Sequence, residues 1–203
     1  MTQLEEKTAS LLVEAGEAVS WEYAASLAYP KGPLLEFITE MQDNKANPSA
    51  TLLYLISKWP NIVLHHNHLS GESLSFGDWR GASLYFNEIF AHCNDGTAYY
   101  GKVLDKNEVP SLSTKNLEVL AQNHLFDRTE DPDISYFFRK EVINRAFEIR
   151  GLVEYGCSWG TLAIPHPTII GWSLNNITSI GQLGMAYDNF INLAASDLSN
   201  DNW

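Results

Sequence analysis

Three histidines fall within the four residues His65-His66-Asn67-His68, and the run continues Leu69-Ser70-Gly71-Glu72-Ser73-Leu74-Ser75-Phe76-Gly77-Asp78. In an extended chain the side chains repeat direction every second residue. His66 and His68 therefore leave on the same side, about 7 Å apart along the backbone, and His65 points the other way. Two imidazoles placed like this can converge on one ion, and Asp78, at the mouth of a following helix, can supply a third donor. Two nitrogens and one oxygen suit Zn2+ while leaving a fourth position for water, as in catalytic rather than structural zinc sites. The same donor set favours zinc over iron or manganese. Each member also has an ordinary reading: histidines in a polar loop are solvated, and Ser75 or Asp78 alone is a helix N-cap. The ordered combination, HxH followed by SxxD, is what points to a metal.

These side chains need a strand, a loop and a helix in that order, and the flanking sequence predicts them. Residues 3–19 have loosely helical apolar spacing with acids at the start. Residues 21–29 are rich in strand formers, 30–33 (PKGP) are turn chemistry and 34–41 read as a returning strand, which together make a hairpin. Ser49 is a cap for a helix that closes at Trp59-Pro60. Residues 61–66 form a short buried-type strand that ends in the histidines. Asp78 then opens a helical pattern through DWRGASLYFNEIFAHC, and Asn94-Asp95-Gly96 turns the chain into the strand TAYYGKVL. Past Asp105 helices are expected at 116–125, 134–150 and 180–198, with DRTEDPD as a polar break. Phe137, Phe138, Val142, Ala146, Phe147 and Ile149 make an apolar face that reads as core. Residues 151–177, rich in Gly, Pro and aromatics, receive no assignment, and no internal repeat is present.

The run His66 to Asp78 resembles the HxHPx(6)SxxD signature of the JAB/MPN (JAMM) metalloprotease superfamily, and its HNH and Ser-Gly portion is similar to the bacterial and prophage RadC-like and JAB branches. Leu69 stands where the signature has proline, and the spacer before Ser75 is one residue shorter. The resemblance covers residues 20–104. It implies an α/β fold, a JAMM (cytidine-deaminase-like) mixed sheet flanked by helices. Residues 1–19 are then an N-terminal helix, 20–104 the metal-binding core, and 105–203 a mainly helical extension packed on it. It further implies hydrolysis of an amide or isopeptide bond in a protein or peptide substrate, with zinc held by His66, His68 and Asp78 polarising the carbonyl and activating water. The family's catalytic glutamate lies on the first core strand, where Glu22 interrupts an otherwise apolar stretch, with Glu36 on the adjacent strand as competitor. By the same analogy Ser75 hydrogen-bonds the developing oxyanion.

Composition narrows the alternatives. With 45% hydrophobic and 19% charged residues over 203 positions, the chain folds as about one large domain. Its 25 acids against 13 Lys and Arg, a formal charge of −12, repel a phosphate backbone and an anionic membrane surface. No stretch approaches the ~18 apolar residues of a membrane span. No leader pattern opens the chain, and Cys93 and Cys157 form no CxxC pair, so a reducing cytoplasm is expected, with leaderless export as an effector left open. There is no HExxH, GxxxxGKS/T or strand-borne GxGxxG. Cys157 with His166 lacks a nucleophile elbow, so Cys157 reads as a structural thiol; His92 and His124 read as packing or surface residues. Asn176-Ile177-Thr178 is a glycosylation triplet unused in a cytoplasmic chain. Two rivals stand beside the enzyme. One is a catalytically silent JAMM-like scaffold whose surface, including Trp79, Tyr85, Phe86 and the 151–177 region, binds a partner. The other is a RadC-like nucleic-acid-associated protein using Arg139, Lys140, Arg145 and Arg150, a run that otherwise reads as a solvated helix face.

Overall fold

The computed structural model describes residues 1–30, 32–59, 61–112, 114–164 and 177–203. Helix α1 (Gln3–Val19) starts in a capping box, with the Thr2 hydroxyl accepting from the Glu5 amide and the Glu5 carboxylate accepting from the Thr2 amide. Strands β1 (Tyr23–Ala28) and β2 (Leu34–Thr39) are the expected hairpin. Ser49 caps α2 (Ala50–Ile56), its hydroxyl accepting from the Leu52 amide at 3.1 Å. The histidine strand β3 (Ile62–Asn67) runs antiparallel to β1, and the chain crosses over through α3 (Phe76–Leu84) into β4 (Glu88–His92), parallel to β3. Strand β5 (Ala98–Val103), a 3-10 turn at Val109–Ser111, α4 (Thr114–Thr129), α5 (Pro132–Ile149), β6 (Val153–Ser158) and α6 (Ile180–Asn200) follow. The result is one six-stranded mixed sheet in the order β2-β1-β3-β4-β5-β6, flanked by helices.

Register assigns each strand residue to a face. His66 sits opposite Ala24 on β1 and Ala91 on β4, Ala91 opposite Tyr99, and Tyr99 opposite Cys157. Trp79 of α3 is buried with Ala91 and Tyr99 on this side, together with Phe138 and Val142 of α5. The alternate residues, His65, Phe90 and His92, face the N-terminal helix, whose Glu5 reaches His65. The main core thus lies under α3 to α6, and α1 covers the other face, burying Leu12 with Ala25, Leu27 and Val63.

Three expectations are corrected. The helix opened near Asp78 ends at Leu84 instead of continuing to Cys93, because Asn87 docks on β3: its amide donates to the Ile62 carbonyl at 2.9 Å and its Oδ1 accepts from the Ile62 amide at 3.1 Å. Pairing with β3 then buries Ile89 and Ala91, and tertiary packing overrides local helical preference. The polar break at 127–133 shrinks to Glu130 and Asp131, since α4 runs on to Thr129 and the Asp131 carboxylate caps α5 through the Asp133 and Ile134 amides. Part of the unassigned 151–177 stretch is β6, so residues 105–203 extend the sheet as well as adding helices. His166 and Asn176 lie outside the described residues. Both cysteines are free, and among the described residues no helix is long and apolar enough to cross a membrane.

Candidate metal centre

Strand β3 delivers His66 and the residue after the strand, His68, to the same side, and their Nε2 atoms approach to 2.9 Å. Asp78, third residue of α3, turns back toward them, with Oδ1 3.3 Å from His66 Nε2 and Oδ2 3.7 Å from His68 Nε2. The fold that aims Asp78 is a capping box. The Ser75 amide and hydroxyl both donate to Asp78 Oδ2, at 2.6 and 2.7 Å, and Ser75 Oγ accepts from the Asp78 amide at 3.3 Å. Glu22 arrives from the strand side. Ala24 pairs with His66 in the antiparallel β1–β3 register, so two residues earlier the chain is level with His68. A Glu22 carboxylate oxygen and one nitrogen of each of His66 and His68 all lie within 4.8 Å of one another, a grouping able to hold a metal ion. His66 is buried, and Glu22 and His68 are partly buried.

The protonation chemistry fits such an ion. His68 Nδ1 lies 2.8 Å from the Glu72 carbonyl, which can only accept; the proton is therefore on Nδ1 and the Nε2 lone pair faces the cluster. Two Nε2 atoms at 2.9 Å tolerate each other only with a proton or a cation between them. His66 Nδ1 has no hydrogen-bond partner of good geometry, although the Phe90 backbone favours its protonated form. Burial holds His68 down to about 4. At His66 burial also opposes the charge, but Asp78 and Glu22 outweigh it and the net direction is up. Burial tends to raise the Asp78 carboxyl, yet His66, His68 and Ser75 hold it well below the usual carboxylate range. Glu22 is pushed by burial up to about 7, against the pull of His66. A carboxylate balanced near neutrality beside two imidazoles can take and return a proton.

The support around the cluster is polar and buried. Asn67, between the two histidines in sequence but on the α1 side, grips the backbone on both sides of Glu22: its Oδ1 accepts from the Tyr23 amide at 2.6 Å and its Nδ2 donates to the Trp21 carbonyl at 3.2 Å. Gly16 makes room for it, since a Cβ there would come within 2.1 Å of Asn67 Nδ2. The loop after His68 is held from α5, β5 and β6. Lys140 and Arg139 pair with Glu72 at 2.7 and 3.6 Å, and Asn144 donates to Ser73 Oγ and the Leu74 carbonyl at 2.8 and 2.9 Å. Asn144 Oδ1 in turn accepts from the Trp79 indole at 2.7 Å, and the Tyr99 hydroxyl donates to the Gly71 carbonyl. Gly71 has φ +68°, and a Cβ on it would strike Ile180. Local sequence pattern does not mark either asparagine as part of the site. The available signal was a carboxamide at a strand position with a histidine on each side, and another inside an apolar helix face, where an unpartnered polar group is costly.

Other sequence candidates fall elsewhere. Glu36 is tied to Ser49, accepting from its amide at 3.1 Å and from its hydroxyl, and does not reach the histidines. His65 faces α1, and His92, on β4 and not in a helix, contacts it. His124 pairs with Asp201 at 2.7 Å. Cys157 is on β6, where burial pushes its thiol up, away from the reactive thiolate. Trp79 and Phe86 are buried core residues, which corrects their place on a docking surface; Tyr85 alone of the three is exposed. The cations of α5 and its C-cap Arg150 are likewise not a solvated face. Arg145 joins Glu141 and Asp188, and Arg150 donates to the carbonyls of Ser199, Asp201 and Trp203, while Arg139 and Lys140 hold Glu72. Comparison of the chain with family models, curated proteins and solved structures returned no match.

Proposed function

We propose that the chain is a zinc-dependent metallopeptidase or isopeptidase of JAMM-like type that hydrolyses an amide bond in a protein or peptide substrate. The observation that carries this reading is the meeting of His66 Nε2, His68 Nε2 and the Asp78 carboxylate beside a Glu22 carboxyl whose proton affinity burial raises toward neutrality. A zinc ion held by His66, His68 and Asp78 supplies Lewis acidity toward a carbonyl and brings water to a nucleophilic state near pH 7. Glu22 accepts the proton of the attacking water on its carboxylate and returns it to the leaving amine. His68 is kept in the ligating tautomer by the Glu72 carbonyl. Ser75 orients Asp78 through its hydroxyl proton, and an oxyanion role for that hydroxyl requires the proton to swing away from Asp78 Oδ2.

Two further facts favour this reading over the alternatives. A partner-binding scaffold built on Trp79 and Phe86 loses both anchors to the core, and a nucleic-acid role built on α5 loses its cations to internal pairs. The test is metal content and turnover of the same preparation. Stoichiometric zinc, hydrolysis of a quenched-fluorescence peptide library, loss on chelation and recovery with zinc are expected. Zinc-loaded protein that leaves every library member uncut overturns the peptidase, and a chain that takes up no zinc overturns the site.

A further inference from the structure

Beside the metal cluster lies a cleft of about 440 Å3, inside the range of about 300–1,000 Å3 typical of ligand sites. It is lined by Glu22, Ser75 and Asp78, by Gly77, Arg80, Gly81 and Leu84 of α3, and by residues 44–48. At about 1.5 Å and about 100° per residue, Arg80 stands about 3 Å beyond Asp78 along the helix axis and about 200° around it, so the two side chains border the cleft from different flanks of α3, and Leu84 stands about 9 Å beyond Asp78 along the axis. In a chain of 25 acids and 13 bases, the two charged residues that line this cleft outside the metal cluster are both cations, Lys45 and Arg80. Lys45 is neutralised by Glu40 at 3.3 Å. Arg80 is exposed and, among the described residues, has neither an ion pair nor a hydrogen bond.

We infer that Arg80 is a specificity determinant: the cleft takes an extended peptide segment bearing a carboxylate close to the bond cut at the metal centre. This rests on the metallopeptidase reading above. A guanidinium fork pairs with a carboxylate through two parallel hydrogen bonds, and the exposed Leu84 and Tyr85, which line the cleft at the C-terminal end of α3, offer apolar contact to neighbouring residues. The carboxylate has two sources, an Asp or Glu side chain or the free C-terminus of a short leaving segment, and both place the same group against the guanidinium.

The test uses the full chain loaded with zinc and carrying Glu22→Gln to stop turnover. The probes are a positional library of fluorescent hexapeptides, in one set capped at both ends and in another with a free C-terminus. Capped peptides with Asp or Glu at one position are expected to bind at least about tenfold more tightly than their Asn or Gln counterparts if the side chain is read, and uncapped peptides to show the gain if the terminus is read. Arg80→Gln should erase the difference with zinc content unchanged, and Arg80→Glu should reverse it toward Lys-bearing peptides. A carboxylate preference that survives Arg80→Gln, or no saturable binding in either set, overturns the assignment. Its failure is separable from that of the peptidase. Peptides cut by the unsubstituted chain without regard to charge leave the enzyme and remove the Arg80 role, whereas Arg80-dependent binding without any cleavage leaves the cleft and removes the enzyme.

Discussion

Two groups of two histidines and a carboxylate lie on opposite faces of the sheet at β3, one around His66 and one around His65, and only one of them is built like a metal site. On the cleft side, His66 and His68 bring two Nε2 atoms to 2.9 Å with the Asp78 carboxylate at 3.3 and 3.7 Å, so the lone pairs share a point. On the α1 side, His65 Nδ1 meets His92 Nε2 at 3.0 Å while His65 Nε2 faces Glu5 Oε1 at 3.6 Å, so the groups are strung in a line. In that line each nitrogen of His65 has its own neighbour. The His65 ring stacks on Phe90 with centroids 4.8 Å apart, and burial drives His65 to about 4 and His92 to about 3, leaving neutral rings packed as flat, weakly polar core. Convergence at the edge of a cleft, rather than the count of donor residues, separates the two.

The largest effect follows from removing a convergent donor. His66→Ala and His68→Ala should each lower zinc affinity by more than about 100-fold, beyond the 10–100-fold usual for outer-shell changes, while His92→Gln keeps stoichiometric zinc. Chelator competition with metal analysis reads all three. Equal zinc loss from His92→Gln would erase the distinction between the faces.

Next comes the division of labour on the cleft side. Glu22→Gln should keep zinc and abolish hydrolysis; loss of zinc equal to that of His68→Ala would make Glu22 a ligand instead of a proton carrier. Asn67→Ser releases both backbone grips around Glu22 and leaves the two histidine rings in place. A drop in kcat of about 10–100-fold with bound zinc retained is expected, the scale of lost outer-shell support. An unchanged kcat would show that β1 pairing alone aims Glu22.

On the α1 side the readout is pH. Unfolded His92 titrates near 6.5, whereas the folded residue resists protonation down to about 3. Below 6.5 the unfolded chain therefore binds a proton that the folded chain refuses, and stability falls as pH drops through this window, by up to about 1.4 kcal/mol per unit for one residue. Urea midpoints at pH 7, 6, 5 and 4 should show a shallower acid decline for His92→Gln than for the unsubstituted chain. Parallel curves would mean that His92 is not held neutral by the fold.

The sequence made the cleft side easier to read than its surroundings, for physical reasons. Alternation along β3 is a period-two signal, enough to separate His66 and His68 from His65, and Ser75-x-x-Asp78 is a local capping pattern. The hairpin, α1, α2, β5 and α5 carry equally local signals. Strand β4 does not: residues 88–92 become a strand because Asn87 and β3 hold them there, a contact 25 residues away in sequence. Asn144 was hidden for a similar reason, since its partners Ser73, Leu74 and Trp79 lie on a distant loop and helix. The exposed guanidinium of Arg80 becomes meaningful only when the 44–48 segment and the metal cluster are seen to line the same cleft.

The smallest predicted effect sharpens the contrast between an ordinary cap and a cap that serves the site. Ser49 and Ser75 both accept, through Oγ, the amide three residues on, at 3.1 and 3.3 Å. Either one changed to Ala should cost about 1 kcal/mol of stability, the usual loss for a serine N-cap. Ser75 also donates its hydroxyl to Asp78 Oδ2, whereas Ser49 donates to Glu36, away from the histidines. Ser75→Ala should therefore weaken zinc by up to about tenfold, at the low end of outer-shell effects, and Ser49→Ala should leave zinc binding where it was. Similar melting shifts with a zinc deficit confined to Ser75→Ala would place the Ser75 hydroxyl in the support of Asp78. Identical zinc affinities in the two variants would reduce Ser75 to helix capping alone.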